Sequence, residues 1–154
     1  MVRQAYSAAA QSPAAEHAFP VGRLFAESAE GARVLDVGCG AGLDCAIAAR
    51  RAGSHGRVAG LDFSMAMLAR ARCAHPGIIF CCAAAEQIPL PDSSVDLALA
   101  NGIFNLNPQR TLIFHELARV LRPAGVLVAA ELVLAQHILR QQLREVRDGE
   151  RAPA

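Results

Sequence analysis

Residues 32–50 read ARVLDVGCGAGLDCAIAAR, an apolar run that reaches Asp36 and passes through Gly38, Gly40 and Gly42 into a helical pattern. Glycines at this spacing allow positive φ and, lacking Cβ, let a backbone come close to a ligand. A helix starting behind such a turn aims unpaired N–H groups at the same place. Two acids complete the set: Asp36 before the glycines, and Asp62 at the end of the next apolar run. A carboxylate beside the turn suits a ligand bearing an ammonium group, not a pyrophosphate. Asp62 is able to accept hydrogen bonds from two ribose hydroxyls. Dinucleotides and other adenosyl cofactors both fit a turn of this kind. The dinucleotide form G-x-G-x-x-G/A needs Gly or Ala at 43, where Leu43 stands. The form here, D-x-G-x-G-x-G, favours a methionine-bearing adenosyl cofactor. The plainer alternatives are a tight βα turn without a ligand and, for Asp62, a helix N-cap, a role for which Ser64 competes.

The elements that must hold these residues are legible in the periodicity. Near-continuous apolar runs at RVLDV, RVAGLD, IIFCC, VDLALAN and GVLVAAELV predict strands buried on both faces, as in parallel sheets. Helical stretches are predicted at 42–52, 64–74 and 109–122, the last with Ile113, Leu117, Val120 and Leu121 on one face. RPAG at 122–125 is expected to stop the third helix and turn the chain into the last strand. Strands alternating with helices imply an α/β fold, doubly wound, with a mainly parallel sheet of about five strands. Residues 1–31, Ala-rich and broken by Pro13 and Pro20, read as an N-terminal helical cap whose Tyr6, Phe19, Leu24 and Phe25 are able to pack on the domain. Residues 32–134 read as the ligand-binding domain, and 135–154 as a polar C-terminal helix and tail.

Composition excludes several other readings. A chain of 154 residues, 53% apolar, supports one domain with a real core. A net charge of +1 gives no general field for nucleic acid or anionic lipid. Arg140, Arg144 and Arg147 alternate with Glu145 and Asp148, which describes a solvated helix. The first residues contain no continuous apolar core of a secretory signal, and no run of about 18 apolar residues exists, so no membrane partner is expected. Five cysteines, an odd number, suggest reduced thiols and a cytoplasmic location. HEL at 115–117 lacks a second metal ligand because Arg119 occupies its place, so no metal is expected and His115 and Glu116 read as a solvated face. His17, His55, His75 and His137 are scattered, His17 being the least bland because the cap contains it. Met65 and Met67 read as packing residues.

Four segments, VLDVGCGAG, VAGLDFSMAMLARAR, AEQIPLPDSSVDLALAN and ELARVLRPAGVLVAAE, resemble in order and spacing the motifs of class I S-adenosylmethionine-dependent methyltransferases. The likeness spans roughly residues 32–132. Within that superfamily, GAGLDC at 40–45 and NGIFNLNPQR at 101–110 are most similar to arsenite methyltransferases. The resemblance implies a Rossmann-like fold with S-adenosylmethionine as cofactor. It places Asp36, Gly38, Cys39 and Gly40 around the methionine end, Gly42 also in the cofactor site, Asp62 on the ribose, and Phe63 and Met67 beside the adenine. Glu86 and Ile88 fall in the loop after the third strand. Asn101 falls beside the methionine end, and Cys45 and Asn101 are the candidates for a part in catalysis.

Three departures shape the expectation. Ala84 stands where many relatives carry an acid that binds the adenine amine. The family cysteine expected within 101–106 is absent, with Gly102 and Phe104 in the candidate places. Only a short polar segment follows the fifth strand, where the family continues with a helix and an antiparallel β-hairpin. The hairpin is therefore expected to be missing, leaving a sheet edge exposed for a homodimer. Cys73, Cys81 and Cys82 are expected to be buried, inert thiols, and Cys81 with Cys82 a poor chelate because neighbours in a strand face opposite ways. Cys45 lies one turn into a helix, where it reads either as an ordinary packed Cys or as a substrate thiol whose pKa the helix N-terminus would lower. The implied function is methyl transfer to a small-molecule acceptor, arsenite-like or thiol. The alternative is a non-catalytic S-adenosylmethionine-binding subunit or remnant that works through dimerisation or a partner chain. A nicotinamide-dependent oxidoreductase is a third reading, disfavoured by Leu43.

Overall fold

A computed structural model describes residues 30–105 and 107–131. Five strands, β1 (Arg33–Val37), β2 (Arg57–Asp62), β3 (Ile79–Cys82), β4 (Val95–Asn101) and β5 (Leu121–Ala130), form one sheet in the order β3-β2-β1-β4-β5. Every pairing between them is parallel. The helices are α1 (Leu43–Ala52), α2 (Met65–Ala74) and α3 (Arg110–Val120). Because β1 is flanked by both β2 and β4, the strand order reverses at its C-terminal tip. Such a switch point opens a crevice at the sheet's carboxyl end.

Strand alternation divides the core between two faces. Leu35, Val37, Ala98 and Ala100 pack with Ile113, Leu117 and Val120 of α3 on one face. On the other, Val34, Leu97 and Leu99 meet Ala48 of α1, while Phe80 meets Cys45 of α1 and Leu68 and Ala71 of α2. The apolar stripe read from α3 is thus buried, and the doubly wound arrangement follows.

The last strand departs from expectation. β5 begins at Leu121, directly after α3, so RPAG lies inside the strand instead of before it. The irregularity is absorbed by a register shift opposite Val95–Leu97 and by Ala124 at φ 65°. The strand closes at Ala130, short of the predicted end. The cap at 1–29, including His17, and the segment at 132–154, where a hairpin or polar helix would lie, are outside the described residues.

Glu116 also differs from its expected solvated role. Its Oε2 accepts the Ile88 N–H at 2.7 Å, and its carboxylate pairs with Arg119. Arg119 in turn donates to the carbonyls of Ile88 at 2.9 Å and Leu90 at 2.8 Å. The two side chains clamp the loop after β3 to α3, while His115 is exposed.

Candidate functional site

The tips of β1, β2 and β4 converge on the glycine turn. Gly38 and Cys39 donate their N–H groups to Leu61 O at 2.7 and 3.0 Å, which draws the turn onto β2. Gly38, Gly40 and Gly42 take φ of 76°, 53° and 87°. Their surroundings separate them. A Cβ on Gly38 would collide with the Ile103 side chain, and one on Gly42 would lie 2.9 Å from Phe80 Cζ. In front of Gly40 nothing among the described residues lies within 4 Å. Gly38 and Gly42 are therefore required by the protein's own packing, and Gly40 presents the turn's open face.

Asp62 ties this turn to the next helix. Its Oδ2 accepts the Gly40 N–H at 2.9 Å and its Oδ1 accepts the Ser64 N–H at 2.7 Å. Each oxygen keeps a further lone pair for another donor. Ser64, not Asp62, is the N-cap of α2, its hydroxyl accepting the Met67 N–H at 3.4 Å.

Asp36 lies beneath the turn at 1% exposure. Cys45, fully buried, donates its thiol to Asp36 Oδ2 at 3.1 Å. Burial pushes the Asp36 carboxyl up to about 7, opposed by the Cys45 hydrogen bond and reinforced by the charges of Asp44 and Asp62. The Cys45 thiol is also pushed up, by the neighbouring Cys39 thiol, by burial and by Asp36. This corrects the expectation of a lowered Cys45: a dry pocket beside a carboxylate outweighs the helix terminus. Both Cys39 and Cys45 Sγ lie 2.8 Å from where a Cβ on Gly60 would stand, so the pair converges beneath β2.

Asn101, at the tip of β4, donates from Nδ2 to Asp44 Oδ2 at 3.2 Å. Asp44 is a buried acid in the first turn of α1, and sequence reasoning passed over it. An acid one turn behind a glycine loop was the available signal. Met67 is buried and Phe63 half-buried at the start of α2, on the side of Asp62. Glu86 stands apart, in the loop after β3, where its Oε1 accepts Asn107 Nδ2 at 2.5 Å. Ile88 is buried in the core on the α3 face. Met65, expected to pack, is 59% exposed. Cys73, Cys81 and Cys82 are exposed free thiols, contrary to the expectation of burial. Among the described residues β3 is an edge strand and α2 covers it only in part, so Cys81 and Cys82 retain contact with solvent. Among the described residues no group of three or more His, Cys, Asp or Glu is placed to hold a metal ion, and no helix is long and apolar enough to cross a membrane.

The parallel five-stranded sheet with its switch point agrees with what comparison with known proteins finds. A family described as a methyltransferase domain matches residues 28–152. An arsenite methyltransferase of Halobacterium salinarum is 34% identical over 116 residues, 72% of this chain and 30% of that protein. The solved S-adenosylmethionine-dependent methyltransferase of Mesorhizobium loti is 34% identical with a TM-score of 0.64, covering 73% of this chain and 51% of that one. An arsenic(III) S-adenosylmethionine methyltransferase of Chlamydomonas reinhardtii is 27% identical with a TM-score of 0.66, over 90% of this chain and 54% of that one. The chain spans about a third of the length of the curated relatives it matches first, 30% and 37%. With four ordered motifs, a five-stranded parallel sheet and a matching domain over most of its length, the chain belongs to the class I, S-adenosylmethionine-dependent methyltransferase family.

Proposed function

We propose that this chain binds S-adenosylmethionine at the tips of β1, β2 and β4 and transfers its methyl group to a small-molecule acceptor, arsenite or a small thiol. The observation that carries the reading is the open face of Gly40 joined by Asp62 to the start of α2. An adenosyl group fits there: a glycine turn with no side chain over Gly40 among the described residues borders a carboxylate with lone pairs to spare, both at a switch point. Residues 32–134 would form the cofactor-binding domain, with 1–31 as a cap and 135–154 as a tail.

Each residue then has a task. Gly38, Cys39, Gly40 and Gly42 form the turn around the methionine end. Asp62 takes the ribose hydroxyls, and Phe63 and Met67 border the adenine. Asn101, steadied by Asp44, lies beside the methionine end. Asp36 works from below, setting the shape and charge of the turn through Cys45. Glu86, through Asn107, shapes the loops at the rim. The cofactor supplies an electrophilic methyl on a sulfonium. The protein's contribution is positioning, bringing the attacking atom to about 3–3.5 Å in line with the departing sulfur. A soft nucleophile such as arsenite or a thiolate needs no general base, which suits a site whose one strongly shifted acid, Asp36, is buried out of reach. The likeness to the arsenite methyltransferase of Halobacterium salinarum supports this acceptor class.

Calorimetric titration with S-adenosylmethionine and S-adenosylhomocysteine tests the cofactor half, and methyl transfer to arsenite in the presence of glutathione tests the other. Absence of heat with both nucleosides overturns the reading. Binding without transfer to arsenite or to a small thiol overturns the acceptor assignment. A molecular mass of twice the chain's in solution would support the homodimer through β5, which has a partner on one side only among the described residues.

A further inference from the structure

The loop that leaves β4 is held from the end of β5. Phe104 N–H donates to Glu131 Oε1 at 2.8 Å, and Asn105 N–H donates to Glu131 Oε2 at 3.2 Å. Gly102 N–H donates to Ala130 O at 2.8 Å, continuing a ladder whose last rung pairs Asn101 with Ala130. One carboxylate thus receives two consecutive backbone donors. Charge-assisted hydrogen bonds of this kind are among the stronger ones a protein makes.

What this loop carries gives the tether its meaning. Ile103, the residue before the two tethered amides, fills the space in front of Gly38. Asn101, at the loop's origin, reaches Asp44 in the first turn of α1. The Phe104 ring stacks on Phe114 of α3, centroids 4.4 Å apart and planes 3° from parallel. The loop is therefore fastened on the α3 side by an aromatic pair and on the β5 side by Glu131, and these ties hold the wall formed by Asn101 and Ile103.

We propose that Glu131 is a positioning residue: its carboxylate fixes the loop after β4 so that Ile103 stays seated on the glycine turn and Asn101 keeps its place beside it. The inference rests on the cofactor reading above. The wall borders β1 and β4, on the side away from Asp62, and so meets the amino-acid end of the ligand and not its sugar. A held wall binds that end without first having to be ordered. Freed from Glu131, the loop would have to be ordered on binding, and only ligands with an amino-acid end would suffer.

Two nucleosides separate the effects, because S-adenosylhomocysteine has the amino-acid end and methylthioadenosine lacks it. Wild type, Glu131→Ala and Glu131→Gln are titrated with both by calorimetry, and exchange of the Phe104 and Asn105 amides is followed in the same proteins. In Glu131→Ala both amides should exchange at least about tenfold faster, as local opening becomes easier. Its affinity for S-adenosylhomocysteine should fall about tenfold, while that for methylthioadenosine stays within about twofold. Glu131→Gln, which keeps one acceptor oxygen and changes the fold least, should lie between. Amides that stay protected in both variants, or a loss shared equally by the two nucleosides, overturn the inference while leaving the cofactor reading intact. Wild-type protein that binds neither nucleoside overturns the cofactor reading and this inference with it.

Discussion

Gly60 offers the sharpest test of the buried layer under the turn. It lies within β2, between register partners Asp36 and Phe80. A Cβ there would stand 2.8 Å from Cys39 Sγ, Cys45 Sγ and Phe80 Cδ1 alike. Relaxed contacts need about 3.5–4.0 Å, so Gly60→Ala must push all three neighbours outward. None has an easy retreat. The Phe80 ring already fills the space before Gly42, and Cys45 is held by its hydrogen bond to Asp36. Overpacking of this kind costs about 1–3 kcal/mol, offset by the roughly 0.5–1 kcal/mol that Ala gains over Gly inside a strand. The expected outcome is a net loss of about 0.5–2 kcal/mol, read as a lower urea midpoint with an unchanged slope. Adding Cys45→Ala vacates one of the three contacts. The double variant should therefore be more stable than the sum of the single effects by at least about 0.5 kcal/mol. A Gly60→Ala protein as stable as wild type, or strict additivity with Cys45→Ala, would refute the packing of both thiols against β2.

Other expectations follow from the same geometry. Asp36, pushed up to about 7 by burial, holds a proton when folded that the unfolded chain releases near its ordinary value of 3.8. Its contribution is complete below that value and is lost as pH rises through about 7. Wild type should therefore weaken between pH 4 and 7 by roughly 2–4 kcal/mol relative to Asp36→Asn, and parallel urea curves at pH 5 and pH 8 would contradict this. The opposite sign holds for Asp96 and Glu116, lowered to about 2 chiefly by hydrogen bonds from Arg33 and Arg119. Their stabilisation is present above the ordinary carboxylate range and is lost as pH falls toward 2, which acid titration of Arg33→Ala and Arg119→Ala would reveal as a diminished acid-side slope. Gly40→Ala meets no atom of the described residues and bears only backbone strain of about 1–2 kcal/mol. It should fold, yet lose S-adenosylhomocysteine affinity by more than about tenfold, and unaltered affinity would remove Gly40 from the site. Arg119→Ala, which takes from Leu90 O its Arg donor and leaves Ile88 O with the Leu90 N–H alone, should lower stability and speed amide exchange around Ile88, as native-state exchange would show.

The sequence alone determined the order of elements and the place of the glycine turn on which the candidate site is built. Apolar runs with the periods of strand and helix are local signals, so RVLDV, RVAGLD and VDLALAN became β1, β2 and β4 with the bounds read from them. The glycines and Asp62 came together because a strand–turn–helix unit and its parallel neighbour leave little freedom in where their tips lie. What each glycine faces was not legible. Gly38 is opposed by Ile103, 65 positions on, and Gly42 by Phe80, 38 positions on; only the folded sheet makes these neighbours. Exposure of Cys81 and Cys82 was misjudged for a related reason. The apolar run IIFCC is compatible with a central strand, and only the strand order reveals that β3 is an edge. The Asp36–Cys45 pair, the raised carboxyl and the Glu131 tether likewise depend on distance in space. Burial, charge coupling and hydrogen bonding are set by which side chains the packed sheet brings within a few ångströms, whereas periodicity records only what each segment must do for itself.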